Sequence, residues 1–267
     1  MPDFINPSGF ILLRVVGASI LFFIIYFFYV KEVVEKKDLF YILACAFFGV
    51  AVNQLFFFHG LNLTTPINAA IIMTSNPILV ILFSCLIFYE KITIRKSMGI
   101  CLGLLGACTL ILNKSGISLN SNFNIGNLFV LINATSYGVY LVMIKPIMRK
   151  YNPITVMFYL FVFGSVYVLP FGYQEVIEIN WEIIPKTIYF EILFVIICTT
   201  FMAYLLNAFA LKRLKPSIVS IYIYLQPVFA TLFAIFRESD QLDHIKILSA
   251  MIIFLGVYLV STTPNRS

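Results

Sequence analysis

The sequence predicts an all-α, polytopic membrane protein built from an inverted repeat of five-helix units. Three observations predict it. The chain of 267 residues is 61% hydrophobic and 11% charged, where a soluble globular chain sits nearer half apolar and a quarter charged. Its apolar runs approach the roughly twenty residues that cross the hydrocarbon core as a helix. A long segment also returns without a gap: Pro66, Pro77 and Gly106 match Pro216, Pro227 and Gly256, each 150 residues later. Lys96 and Lys246 keep the same register. An internal repeat of this length decides the architecture.

Nine spans are expected, at 8–30, 39–60, 67–89, 97–113, 125–144, 154–172, 187–210, 216–236 and 245–262. The loops between them are short, so no soluble domain is expected. The first run is too long for the apolar part of a signal peptide and lacks a basic start, so no cleavable leader is predicted. The five cysteines (Cys45, Cys85, Cys101, Cys108 and Cys198) all fall inside apolar runs without metal-ligand spacing. They are expected to be free, buried thiols.

Lysine and arginine set the orientation. Lys31, Lys36 and Lys37 follow the first span; Lys91, Arg95 and Lys96 the third; Lys145, Arg149 and Lys150 the fifth; Lys212, Arg213 and Lys215 the seventh. With Arg266 that makes thirteen on one side, against Lys114, Lys186, Arg237 and Lys246 on the other. The richer side is cytoplasmic by the positive-inside rule. The expected protein is therefore a multi-pass protein of the cytoplasmic membrane, N-terminus outside and C-terminus inside. The net charge of +6 belongs to these loops and does not imply nucleic-acid binding.

Five spans separate Pro66 from Pro216, an odd number, so the second copy runs inverted relative to the first. Inverted repeats are a common plan of secondary transporters. Asn6-Pro7 before the first span resembles Asn152-Pro153 before the sixth, at an offset of 146. The span at 125–144 then has no counterpart, and one is expected upstream of Met1.

Each copy places a proline near the middle of its span, Pro77 and Pro227, directly after an amide, Asn76 and Gln226. Proline removes one backbone hydrogen bond and pushes on the preceding turn. Inside a membrane such a break survives where protein or a water-filled cavity covers it. Interrupted helices at matching positions of two repeats point to a transporter's binding site. The carbonyls freed one turn back belong to Met73 and Ile223.

The doubled motif is an apolar helix with a central proline, an acidic residue before a basic loop, then a glycine-rich helix. It reads NPILVILFSCLIFYEKITIRKSMGICLGLLGACTLIL in the first half and QPVFATLFAIFRESDQLDHIKILSAMIIFLGVYLV in the second. It resembles the EamA-like family of the drug/metabolite transporter superfamily. The resemblance covers essentially the whole chain. It implies ten helices in two five-helix inverted repeats, here at 1–113, lacking the first helix, and 125–262. The family's acidic position falls on Glu90 in the first copy and on Asp240 in the second, with Glu238 two residues earlier.

The candidate substrate-binding residues are Asn76 and Gln226 beside the helix breaks, and Arg14 about two turns into the first span. A cation inside a span is a functional hypothesis by default; its long stem also lets it snorkel to the headgroups. Asn53, Gln54, Tyr137, Tyr140, Tyr204, Asn207 and Tyr222, with Tyr224, could complete an aromatic, amide-lined pocket suited to an amphipathic metabolite. His59 is expected to be structural. Gly99, Gly103 and Ala107 have the small-residue spacing of close helix packing. Lys145-Pro146 reads as the stop of the fifth span.

The function expected is secondary transport of a small metabolite, amino-acid-like or otherwise amphipathic, in the export direction and by alternating access. A non-transporting remnant or membrane interaction protein is the alternative, ahead of a flippase for a lipid-linked headgroup. An enzyme would need clustered His, Asp or Glu in a pocket, and the spans carry none. No cofactor or metal is expected. The expected partners are membrane lipids and the solute, with a homodimer as a further assembly.

Overall fold

The computed structural model describes residues 4–88, 92–113, 124–236 and 244–262. Glu90, Lys91, Lys114, Arg237, Glu238, Asp240 and Arg266, named above, lie outside them. Every regular element among the described residues is helical. The helices are α1 (Pro7–Val30), α2 (Lys36–Leu63), α3 (Pro66–Met73 and Asn76–Phe88), α4 (Ile94–Asn113), α5 (Ile125–Lys150), α6 (Pro153–Ile177), α7 (Lys186–Arg213), α8 (Pro216–Ile221, Tyr222–Leu225 and Gln226–Phe236) and α9 (His244–Ser261). Eight of them are long and apolar enough to cross a membrane. The fourth expected span is a helix of 20 residues, α4, outside those eight.

Both organising helices break where the prolines stand. In α3 the first piece ends at Met73, and Thr74 and Ser75 form a turn before Asn76. In α8 the break is a tighter 3-10 stretch, Tyr222–Leu225. A second irregularity also recurs. α2 widens into a π-helical stretch at Phe47–Val52, and α7 does so at Val195–Met202. Such turns free carbonyls from the α ladder. α2 and α7 are both 28 residues long and start 150 residues apart, so the repeat extends through them.

Two main buried clusters hold the helices together, beside a small one of Ile5, Ile179, Ile184, Ile188 and Ile192. The larger joins α1, α2, α5, α6 and α7 around Phe22, Ile42, Leu141, Met157 and Phe161. The smaller joins α3, α4, α8 and α9 around Ile81, Ile100, Tyr224 and Ile253. In the smaller one the backbones of α4 and α9 nearly touch. A Cβ on Gly106 would lie 2.9 Å from the Ser249 carbonyl oxygen, and one on Gly256 would lie 2.6 Å from the Gly99 carbonyl oxygen. The two pairs exchange under the 150-residue offset, so the seam packs as a two-fold contact. A Cβ on Gly103 would collide with the Tyr224 ring.

Three expectations need correction. α5 does not stop at Lys145-Pro146; after a turn at Ile144 it continues as Lys145–Lys150. Lys145 reaches out of it to the end of α7, donating to the carbonyl of Leu211 and, at 2.6 Å, to that of Leu214. It caps unpaired carbonyls at the negative end of that helix. The thiols are free, but Cys101 and Cys198 are exposed on the helix surface and only Cys45 is fully buried. α6 runs five residues beyond its expected end and carries Glu175, which accepts the Gly9 N–H at 2.7 Å.

At the Lys/Arg-rich end, the loop after α1 and the loop after α5 are tied together. Lys150 donates to Glu35 at 2.7 Å and Asp38 at 2.6 Å, and the Tyr151 hydroxyl donates to Asp38 at 2.8 Å. The Asn152 N–H donates to Glu32 at 2.8 Å.

Candidate functional site

Along α7, Thr200, Tyr204 and Asn207 follow one another at about one turn each. They face three different helices. Thr200 accepts the Nε–H of Arg14 on α1 at 3.0 Å. The Tyr204 hydroxyl accepts from Gln54 Nε2 on α2 at 2.8 Å and lies 3.2 Å from the Gly49 carbonyl oxygen, to which it donates. Asn207 Nδ2 donates to the Tyr137 hydroxyl on α5 at 2.7 Å. Its Oδ1 is buried without a partner.

Helices of both repeats, α2 from the first and α5 and α6 from the second, present the frame for this column. The carbonyls loosened in and beside the α2 π-helical stretch are taken up by α5: Ser136 donates to Phe48 at 2.6 Å and Asn133 Nδ2 to Asn53 at 2.6 Å. Gly49, in that stretch, leaves room for the Tyr140 ring; a Cβ there would overlap it. Tyr140 and Tyr137 sit 6.1 Å apart between ring centroids. The Phe161 ring meets Tyr204 edge-on at 5.0 Å.

Gln54 and Tyr204 are 150 residues apart. They are therefore mates in the repeat, and they bond to each other. A residue that touches its own mate lies on the axis relating the two copies. The same column thus stands at the centre of the pairing between repeats.

Seven of the ten candidates come together here: Arg14, Asn53, Gln54, Tyr137, Tyr140, Tyr204 and Asn207. Arg14 does not snorkel. It is 8% exposed, its Nε is bonded inward to Thr200, and its guanidinium carbon lies 4.9 Å from the Phe58 ring centroid and 5.8 Å from that of Phe10. Its place at the α1–α2–α7 junction draws it away from the headgroups. His59 pairs with Ser8 at 3.0 Å.

The other three do not join the column. Asn76 is wholly buried at the α3 break, with a 3.6 Å contact from Nδ2 to Met73 Sδ and an Oδ1 without a partner. Gln226, its mate, is exposed, and Tyr222 is 46% exposed. The reason is packing. α5 lies over α2 and α3, whereas among the described residues no helix lies in the matching way over α7 and α8. Pro77 is buried and Pro227 half-buried for the same reason. Tyr224 turns the other way, into the α4 seam.

Sequence reasoning missed Thr200, Asn133 and Ser136. One signal was within reach: testing the polar candidates against the 150-residue offset pairs Gln54 with Tyr204 at once. Among the described residues no three His, Cys, Asp or Glu side chains are grouped to hold a metal.

The model of the EamA-like transporter family matches residues 1–112 and 124–262. An uncharacterised transporter of Archaeoglobus fulgidus is 27% identical over 258 residues, covering 96% of this chain and 89% of its own length. A second from the same organism is 27% identical over 223 residues, covering 82% of this chain and 74% of its own. A WAT1-related protein of Arabidopsis thaliana is 25% identical over 245 residues, covering 83% and 64%. One solved crystal structure superimposes with a TM-score of 0.81 at 16% identity, covering 97% of this chain and 89% of its own, a likeness of fold. The chain belongs to the EamA-like transporter family, as an integral, multi-pass membrane transporter.

Proposed function

We propose that the chain is a secondary transporter that exports a small amphipathic metabolite across the cytoplasmic membrane by alternating access. The observation that carries this reading is the bonded pair Gln54–Tyr204, two repeat mates meeting in a buried polar column. Rocking one inverted repeat against the other moves the two ends of the molecule in opposite senses and leaves the axis nearly still. A solute held at the axis is then reached first from one side and then from the other. The aromatic rings of Tyr137, Tyr140 and Phe161 suit an apolar body; the unpartnered Asn207 Oδ1 suits a donor on its polar end.

The Lys150–Glu35–Asp38 cluster joins the two repeats at the end that the charge count places in the cytoplasm. Opening that end requires this cluster to part. The helix breaks remain part of the proposed path, with Asn76 as its better-placed member because its buried Oδ1 has no protein partner. Buried polar groups are paired in the great majority of cases.

The test is transport by the full chain in proteoliposomes, screened with a metabolite panel. Tyr204→Phe removes the hydroxyl and keeps the ring; Gln54→Leu removes the amide and keeps the bulk. Both are expected to weaken apparent affinity several-fold, since a lost hydrogen bond costs about 0.5–1.5 kcal/mol, while leaving folded protein in the membrane. Normal transport by both variants would move the site away from the axis.

A further inference from the structure

Arginine carries five N–H donors in a fixed fork that matches a carboxylate. Arg14 spends one of them on protein, the Nε–H given to Thr200 at 3.0 Å. Thr200 gives its own hydroxyl proton to the Val195 carbonyl at 2.9 Å, so towards Arg14 it acts purely as an acceptor. Among the described residues no other hydrogen bond holds the guanidinium and no carboxylate pairs with it. Glu175 is occupied elsewhere, on the Gly9 N–H.

This is an unusual way to bury a cation. Arginine stays charged in proteins, and a charge inside a membrane is costly unless it is paired or faces a cavity. A structural arginine at 8% exposure would be expected to place its fork on carbonyls or a carboxylate. This one is held by its Nε and flanked by two rings, Phe10 and Phe58. The η nitrogens make no hydrogen bond to the described residues. Through Thr200 and then Tyr204, one turn on, Arg14 joins the polar column.

We infer that Arg14 is the counter-charge for the solute, and that the solute is an amphipathic carboxylate. The two η nitrogens take the carboxylate oxygens side by side. The aromatic residues around the column take the apolar body. Neutral and purely cationic solutes of the same shape leave the buried charge unanswered and are rejected. The inference rests on the transporter reading above and adds the charge and class of the substrate.

The experiment compares acids with their own amides, which keep size and shape and lose the charge. The full chain in proteoliposomes is given radiolabelled phenylacetate or phenylacetamide, and L-phenylalanine or L-phenylalaninamide; binding is followed in parallel by thermal stabilisation in detergent. The acids are expected to be preferred by about tenfold or more, the range for a charge-assisted hydrogen bond. Arg14→Gln should erase that preference. Arg14→Lys, which keeps the charge and loses the fork, should fall between. Equal handling of acid and amide by the unmodified chain overturns the anion site while leaving transport in place, and needs no variant to fold. A preference that survives in Arg14→Gln overturns it as well. Failure of all four probes, charged and neutral alike, counts against the aromatic-solute transporter itself and takes the anion site with it.

Discussion

α2 and α7 are repeat mates of equal length with π-helical stretches at matching places, yet α2 is much more deeply buried than α7. The difference is one neighbour. α2 receives α5, whose Asn133 and Ser136 donate to its loosened carbonyls and whose Tyr140 fills the space over Gly49. The mate of Gly49 is Thr199, which stands exposed on α7. The same neighbour separates the two helix breaks, burying Asn76 and leaving Gln226 open. Equal sequence periodicity therefore does not give equal environments. The role of a residue is set by whether its repeat partner is also packed.

The comparison is sharpest where a side chain is added. Gly49→Ile forces a branched side chain into the Tyr140 ring, and overpacking a filled site costs about 1–3 kcal/mol. Thr199→Ile, its mate, adds bulk to an open face and is expected to stay within about 0.5 kcal/mol. Thermal melts of the two purified variants decide it. Equal losses would mean that α7 is covered as α2 is, and the contrast between the helices would disappear.

A smaller effect separates the amides. Asn76→Leu and Gln226→Leu remove the same kind of group at matching places. The first is expected to weaken apparent affinity several-fold with folding retained, because exchanging a polar group for an apolar one of similar shape is close to neutral for stability. The second is expected to remain within about twofold of the unmodified chain, a difference of roughly 0.4 kcal/mol. Initial rates over a range of solute concentrations in the reconstituted system measure both. A larger effect at Gln226 would show that the exposed break, rather than the buried one, lies on the solute's path.

The smallest effect is expected at the charged cluster that bridges the repeats. Hydrogen bonds from Lys150 and Lys37 hold the Glu35 carboxyl below the usual carboxylate range. A group with a lowered folded pKa stabilises above its ordinary pKa and loses that contribution as pH falls through the lowered value. Glu35→Gln should therefore flatten the acid side of a melting-temperature profile slightly and leave neutral pH almost unchanged, since exposed ion pairs contribute little. A large loss at neutral pH would make this cluster a principal fastening between the two halves.

Much of this was legible in the sequence, and the residues show why. The apolar runs and the 150-residue offset fixed the helices and the places of both breaks, because proline and register act locally. Arg14, Gln54, Tyr204 and Asn207 stood out because polar groups are rare in such runs. Thr200, Asn133 and Ser136 did not, because hydroxyl and amide side chains in membrane helices commonly bond within their own helix; their partners are carbonyls freed by π-helical stretches, for which no residue type is diagnostic. The exposure of Gln226 was hidden for a different reason. It follows from what lies across from it, and a periodic pattern carries no record of a neighbour. Lys145 looked like a stop because it precedes proline, while its partner, the end of α7, lies more than sixty residues away.

In a perfectly symmetrical pair of repeats, the axis would carry two copies of one residue, and nothing there could tell one end of a guest from the other. At the axis of this molecule an amide meets a phenol, Gln54 against Tyr204. One offers N–H and the other a hydroxyl backed by a ring. The two halves have kept the geometry of mates and given up their chemical likeness. A molecule bound between them would meet an amide on one side and a phenol on the other, and so would be told head from foot.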